Sequence, residues 1–165
     1  MDDENSYAWC EDPRLAGNLA DFFCANVTPA YITQDELDRG RAISDRQWNP
    51  QLREVMQQEF AVYIAARNVA VVSASDRIIA CGVFVAHDGR MYLNDLIVEQ
   101  THQHSGIGHR FLMWLKAEMR RRGMVSLCIV CGKRNGVAQS FFRAAGFVPC
   151  VEQPDPLSVQ MHVLL

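Results

Sequence analysis

The chain has 165 residues, of which 49% are hydrophobic and 21% charged, and its formal net charge is −3. A chain of this length is expected to form one domain around a single core. It lacks the strong positive field that binding to a nucleic-acid backbone requires, and none of its apolar runs approaches the roughly 20 residues of a membrane helix. Nucleic acid and membrane are therefore excluded as expected partners.

The first residues and the cysteines indicate the cellular compartment. The chain begins with the acidic segment Met1-Asp2-Asp3-Glu4, where a signal peptide would be basic. Its six cysteines lie mostly within apolar segments instead of the turn-rich spacing of a secreted disulfide scaffold. We therefore expect a cytoplasmic protein with reduced, buried thiols.

The amino-terminal part of the chain has a helical pattern. Asp12-Pro13 supplies an N-cap followed by proline at the first helical position, which predicts a helix over about 13–25. Thr33–Glu36 has the spacing of a capping box and predicts a short second helix. Asn49-Pro50 repeats the cap-then-proline signal and predicts a third helix that ends near Ala66.

From Val69 onward the apolar residues recur at the spacing of strands. Turn-forming pairs separate three predicted strands of an antiparallel meander: Val69–Val72, Ile78–Ala86 and Met91–Val98. The middle strand is apolar at nearly every position, so both of its faces are expected to be covered. Helices must therefore flank the sheet on both sides.

The most regular helix pattern follows the loop Glu99–Ser105. Apolar residues fall four apart from Ile107 to Met119, and Gly123 supplies a glycine C-cap. The remaining elements are a strand, a short helix and two further strands: Val125–Cys131, Ala138–Ala145, Phe147–Val151 and Ser158–Leu164. The order predicts an α/β fold with a mixed, mostly antiparallel central sheet flanked by helices on both faces.

The strand, short loop and glycines before this helix are typical of an anion site. Unpaired backbone N–H groups converge at a helix start, and the helix dipole adds partial positive charge there. Gly106 and Gly108 keep side chains away from those groups. Phe111 stands where a dinucleotide fingerprint needs a third glycine, and the Gly-Lys-Ser/Thr of a P-loop is absent. A tight connection without a ligand explains the same glycines, and the spacing leaves that alternative open.

Three motifs resemble those of one family. Gln103-x-x-Gly106-x-Gly108 resembles the Gln/Arg-x-x-Gly-x-Gly/Ala motif by which GNAT acetyltransferases bind the pyrophosphate of coenzyme A. Tyr92–Val98 resembles the strand that presents its backbone to the pantetheine arm. Asn135-x-x-Ala138-x-x-Phe141-Phe142-x-x-x-Gly146-Phe147 is similar to the family's later helix. The matches run in the family's order over roughly residues 69–151, and the family's fold agrees with the predicted elements.

The resemblance implies an acetyl-CoA-dependent N-acetyltransferase in which a primary amine attacks the thioester directly within a ternary complex. The expected acceptor is a small molecule; the alternatives are a protein or peptide amine, and an acyl-CoA-binding module with little turnover. The implied plan is one domain over 1–165, with an acceptor-side helical region (1–68), a coenzyme-binding core (69–151) and a C-terminal strand (152–165). Family members frequently dimerise, so a homodimer is an alternative to a monomer.

The resemblance also implies a set of coenzyme-binding residues on the third strand, the glycine loop and the later helix. They are Leu96, Ile97, Val98, Gln103, His104, Ser105, Gly106, Ile107, Gly108, Asn135 and Phe142. The backbone amide near Ile97 or Val98 is the candidate donor to the developing oxyanion. Acetyl-CoA is therefore the expected co-substrate, and no metal is expected.

Two positions depart from the family's pattern where proton transfer is expected. Phe142 stands where many relatives have a tyrosine, and phenylalanine cannot protonate a leaving thiolate. Asn94 stands where relatives with a similar strand often carry a glutamate base. Asp95 and Tyr92 remain as the candidate catalytic residues. Each also has a structural interpretation, Asp95 as a carboxylate bonded to nearby amides and Tyr92 as a core aromatic.

Two clusters near these motifs favour a structural interpretation over a chemical one. Cys128 and Cys131 stand three apart in a predicted strand, where their side chains point to opposite faces, so they are interpreted as core cysteines and not as zinc ligands. His102, His104 and His109 surround the glycine loop and could add charge to it when protonated. Polar residues of an exposed loop are the simpler interpretation.

Overall fold

The computed structural model describes residues 5–26, 50–87, 90–153 and 156–165. These residues contribute seven strands to one sheet: β1 Ser6–Trp9, β2 Val69–Ala74, β3 Arg77–His87, β4 Arg90–Val98, β5 Ser126–Gly132, β6 Val148–Pro149 and β7 Ser158–Leu164. The strand order is β1-β2-β3-β4-β5-β7-β6. Neighbours pair antiparallel except β4 and β5, which run parallel.

Helices cover the sheet on both sides within the described part of the chain. They are α1 Ala16–Asn26, α2 Pro50–Ala65, α3 Ile107–Arg121 and α4 Gly136–Ala144, with a 3₁₀ turn at Pro13–Leu15 before α1. The apolar residues of α3 and α4 pack into one core and those of α1 and α2 into another. The prediction of a mixed, mostly antiparallel sheet between two helical layers is confirmed.

The larger core lies between the sheet and α3. Phe111 and Leu115 of α3 are fully buried against Phe84 of β3 and Leu127 of β5. Their spacing along α3 places them on one stripe, as the sequence predicts. Each such side chain contributes roughly 1.5–3 kcal/mol by leaving water, so this stripe fixes α3 against the sheet.

The smaller core lies on the opposite face of the same strands. Leu19 of α1 and Phe60 of α2 are fully buried against Val71 of β2 and Cys81 and Val83 of β3. β3 therefore has a covered face on each side, which explains why its sequence is apolar without alternation.

Helix ends agree with the capping signals of the sequence. The Asp12 carboxylate accepts a hydrogen bond from the Arg14 backbone N–H at 3.0 Å. Gly123 and Gly146 have φ of +77° and +88°, the left-handed conformation in which helices terminate. The predicted helix boundaries at these positions are confirmed.

The structure adds one strand that was not predicted and shortens another that was. β1 was not predicted, because four residues are too few to show the apolar–polar alternation of a strand. It pairs with β2, and its Tyr7 and Trp9 pack against the larger core beside Trp114. The strand predicted over 147–151 is only Val148–Pro149, since Phe147 is buried in the core and Pro149 has no N–H for the sheet.

The short helix predicted at Thr33–Glu36 lies outside the described residues. None of the helices in the described part of the chain is long and apolar enough to cross a membrane.

Candidate active site

The glycine loop presents unbonded backbone amides at the start of α3. Gly106 is the N-cap residue, with a φ of +82° that favours glycine. The first N–H bonded within this turn is that of Arg110, which donates to the Gly106 carbonyl at 3.0 Å. The N–H groups at positions 106–109 have no intrahelical acceptor, and they lie at the positive end of the helix dipole. The loop therefore has the geometry of an anion site.

Side chains hold this loop against the end of β4. Gln103 Nε2 donates to the Val98 carbonyl at 3.0 Å, and the Ser105 hydroxyl donates to the His102 carbonyl at 2.5 Å. The Arg110 guanidinium donates to the Ser105 carbonyl at 3.5 Å, which places a positive charge over the loop. Sequence reasoning missed Arg110, although its position two residues after Gly108 puts it in the first turn of the helix.

A polar cluster around Glu99 anchors the same loop. The Glu99 carboxylate accepts hydrogen bonds from Arg77 and Thr101 and lies 2.7 Å from His102 Nδ1. Burial alone would raise the pKa of Glu99, but these partners outweigh it and hold the pKa below its ordinary value. His102 therefore serves the cluster, whereas His104 is exposed.

β4 and β5 separate at the middle of β4, after Leu93. Their register contains only the pairs Tyr92 with Cys128 and Leu93 with Ile129. At the same point the register with β3 shifts, because Asn94 is an extra residue between two paired neighbours. This bulge turns β4 away from β5 and opens a gap between the two strands.

The backbone direction along β4 decides which groups face that gap. The Glu99 N–H donates to the Ile79 carbonyl at 2.9 Å, so it points toward β3. Successive residues of a strand point their N–H groups to alternate sides. The amides of Val98 and Leu96 therefore point toward the gap, and the amide of Ile97 points toward β3. Of the two amides considered from sequence, the geometry favours Val98 over Ile97.

Asn94 and Asp95 lie together at the bulge. Asn94 Nδ2 donates to Asp95 Oδ2 at 2.8 Å. Burial raises the pKa of Tyr63 on α2, and the charges of Glu59 and Asp95 raise it further. Burial and the same Asp95 charge raise the pKa of the Cys81 thiol. Asp95 pairs in register with Val83, which is covered by α1 and α2, so Asp95 lies on the α2 side of the sheet.

A cleft of about 1130 Å³ lies on this side of the sheet, beyond α1 and α2. Cys81 and Val83 of β3 are covered by these helices, and Val85 and His87 continue the same face into the cleft. The floor is formed by side chains of successive strands, among them Tyr92, Asn94, Cys128, Gln160 and His162. The gap between β4 and β5 thus leads from the glycine loop to a cleft that can hold a second molecule.

Tyr92 reaches across the floor of this cleft. Gln160 Nε2, on β7, donates to the Tyr92 hydroxyl oxygen at 3.0 Å. Gln160 is itself almost fully buried, and its backbone N–H donates to Gln153 Oε1 at 2.7 Å. Because its oxygen already accepts this hydrogen bond, the Tyr92 hydroxyl can donate its own proton into the cleft. Sequence reasoning missed Gln160, which has no motif signal.

Comparison with known proteins identifies the family. The sequence model of the Acetyltransferase (GNAT) family matches residues 32–147. The chain belongs to the GNAT acetyltransferase family. No curated protein sequence matches it.

Solved structures share the fold of this GNAT protein at low sequence identity. PaiA N-acetyltransferase from Thermoplasma acidophilum in complex with coenzyme A is 14% identical, with a TM-score of 0.76 over 98% of this chain and 99% of that chain. An acetyltransferase from Thermus thermophilus is 17% identical, with a TM-score of 0.73 over 98% and 97%. The ribosomal-protein-S18-alanine N-acetyltransferase from Escherichia coli is 17% identical, with a TM-score of 0.63 over 97% and 93%. At these identities the likeness shows the fold alone.

The GNAT helix motif occupies α4 as expected, but its side chains have structural contacts. Asn135 is buried, and its side chain accepts a hydrogen bond from the Ala138 N–H at 3.0 Å, which caps α4. Phe142 is 8% exposed, and its ring lies 5.3 Å from that of Phe147 in the core. Phe141 is the ring that faces the glycine loop, at 3.5 Å from where a Cβ on Gly108 would lie. The coenzyme roles of Asn135 and Phe142 stay predictions.

The described cysteines of this GNAT protein are all free. Cys128 is buried, and burial raises its thiol pKa, as it does that of Cys131. No group of three or more His, Cys, Asp or Glu within the described ranges is placed to hold a metal ion. The core interpretation of Cys128 is confirmed by its burial.

Proposed function

We propose that this GNAT protein is an acetyl-CoA-dependent N-acetyltransferase whose acceptor is the primary amine of a small molecule. One observation carries the proposal: the unbonded amides of the glycine loop, the open edge of β4 and the acceptor cleft follow one another along a single strand. A thioester carrier held by its pyrophosphate at the loop can extend along β4 and deliver its acetyl group to the cleft.

The amides at positions 106–109 bind the pyrophosphate in this proposal, and the Arg110 guanidinium adds charge to them. The pantetheine arm accepts a hydrogen bond from the Val98 N–H at the open edge of β4, as a paired strand would. From Val98 to Asn94 the strand covers about 13 Å, at about 3.3 Å per residue. The thioester then lies at the bulge, beside the cleft.

Two relatives of similar fold support this choice of co-substrate. The Thermoplasma acidophilum structure contains coenzyme A. A putative streptothricin acetyltransferase from Bacillus anthracis, 17% identical with a TM-score of 0.53 over 59% of this chain and 61% of that chain, is in complex with acetyl coenzyme A.

The reaction proceeds by direct attack of a neutral amine on the thioester carbon. Holding both reactants in one geometry supplies up to about 7–11 kcal/mol of the barrier. The Leu96 N–H faces the gap nearest the cleft and is the donor to the developing oxyanion. Tyr92 protonates the leaving thiolate. Gln160 donates to the hydroxyl oxygen and fixes it, so the hydroxyl proton is available to the cleft. Asp95 lies beside the bulge and orients the incoming amine.

Release of free coenzyme A thiol from acetyl-CoA, measured against a panel of amines, tests the proposed function. Release with one class of small amine supports it. Release with peptides alone makes the protein a peptide acetyltransferase. Tight acetyl-CoA binding in calorimetry without release from any acceptor makes it a binding module and contradicts the proposal.

A further inference from the structure

A second polar pair lies on the floor of the cleft beside the Tyr92 hydroxyl. Tyr92 pairs with Cys128 across β4 and β5, and Cys128 pairs with His162 across β5 and β7. Cross-strand partners in register point to the same face, about 4.8 Å apart. The side chains of Tyr92, Cys128 and His162 therefore form one row across the floor.

The Tyr92 hydroxyl lies toward the β7 side of this row. It is bonded to Gln160, which stands two residues before His162 on the same face of β7. The phenol thus extends over β5 toward β7. A proton donor and an imidazole are brought together where β4, β5 and β7 form the floor of the cleft.

Cys150 fixes the orientation of the imidazole. Its Sγ lies 3.5 Å from His162 Nδ1, and its backbone N–H donates to the Gln160 carbonyl at 2.9 Å. When Nδ1–H donates to the sulfur, Nε2 carries the lone pair. His162 is half-buried, so the ring is held by its surroundings while part of it remains accessible from the cleft.

We propose that His162 is the proton acceptor for the acceptor amine and that Cys150 is its positioning residue; this rests on the proposed function. The amine nitrogen forms a bond to the thioester carbon, the carbon–sulfur bond breaks, and the nitrogen loses one proton to His162 Nε2. The leaving sulfur takes the Tyr92 proton. Solvent returns a proton to Tyr92 as His162 releases its own, so the net products are an amide and free coenzyme A, with no net proton released.

The other charged and titratable groups of the cleft are arranged around this pair. They are His87 on β3, Arg90 on β4, Cys128 on β5 and Glu152 after β6. His87 packs its ring edge against the Tyr92 ring at 6.3 Å, at the hairpin end of β3 and not in the row. It is the matched control, because it is the other histidine that lines the cleft.

The test is the pH dependence of kcat/KM for wild type, His162→Gln, His87→Gln and Cys150→Ser, with coenzyme affinity measured in parallel. We expect His162→Gln to lower kcat at least about 100-fold and to remove the ascending limb of the profile, at unchanged coenzyme affinity. His87→Gln keeps the limb. Cys150→Ser keeps the limb but displaces it, because the ring loses its sulfur partner.

Chemical rescue provides a second readout that a structural role would not give. Added imidazole is expected to raise the acetylation rate of His162→Ala at least about tenfold over the rate of the same variant without imidazole, since the cleft has room for it. An active His162→Gln enzyme that keeps the ascending limb overturns the role of His162 but leaves the proposed function standing. The absence of rescue in a folded His162→Ala protein does the same. A wild-type protein that binds acetyl-CoA and acetylates no amine overturns the proposed function and the inference with it.

Discussion

At the residue scale, proton transfer is the part of the account that depends on individual side chains. The sequence selects Tyr92 and Asp95 because Phe142 and Asn94 lack the usual groups. The structure adds the reason to prefer Tyr92 as the acid, since Gln160 donates to its oxygen at 3.0 Å. That partner lies 68 positions away in the chain, and no local pattern could have revealed it.

Replacing Tyr92 by phenylalanine should lower kcat at least about 100-fold, because the leaving thiolate loses its proton donor. Coenzyme affinity should stay unchanged, since only the hydroxyl is removed. Steady-state kinetics with calorimetry measures both quantities. A kcat within threefold of wild type would remove Tyr92 from the mechanism.

Tyr7→Phe is the matched control for that substitution. The Tyr7 hydroxyl is buried and has no hydrogen-bond partner within the described residues. Its removal should leave kcat unchanged and should raise the free energy of unfolding by about 1 kcal/mol, because a buried unsatisfied group is lost. Denaturant unfolding measures this change.

At the element scale, the account depends on how the glycine loop joins β4 to α3. Helix periodicity predicted α3 and its glycine end correctly, since local spacing determines both. The bulge at Asn94 and the separation of β4 from β5 could not be predicted from local spacing. They arise from the register with β3 and from a β5 that lies well beyond β4 in the chain, after the whole of α3.

Gly108→Val should weaken coenzyme binding at least tenfold. A Cβ at this position already lies 3.5 Å from Phe141 and Val98, so the two further methyl groups of valine take up space beside the amides where the pyrophosphate is proposed to bind. Gly132→Val is the control, because nothing lies within 4 Å of its added Cβ. Calorimetry measures affinity, and circular dichroism checks that both variants fold. Equal affinities for the two variants would contradict the placement of the pyrophosphate.

The Glu99 cluster makes the stability of the protein depend on pH in the acid range. The folded-state pKa of Glu99 is below its unfolded value, so its stabilisation is fully present above about pH 4.3 and is lost as the pH falls through the folded pKa. Unfolding free energy should therefore decline in that window for wild type. In Glu99→Gln the decline should be smaller; an identical pH profile would show that the cluster contributes nothing.

At the scale of the whole molecule, the sheet with helices on both faces follows from patterns that the sequence carries. The apolar run of β3 requires two covered faces, and the structure provides them through α3 on one side and α1 with α2 on the other. The cleft did not follow from sequence, because residues of β3, β4, β5 and β7 form it together. His162 was overlooked for the same reason: only the sheet order brings it near Tyr92.

The central claim is that the amides at the start of α3 hold the diphosphate of acetyl-CoA. Titrating ¹⁵N-labelled protein with acetyl-CoA and recording its amide resonances by NMR tests this most directly. We predict the largest changes at Gly106 and Gly108, accompanied by Leu96 and Val98, while Gly123 and Gly132 remain unperturbed. Saturable binding that leaves Gly106 and Gly108 unchanged, or that shifts all glycine amides alike, would contradict the account.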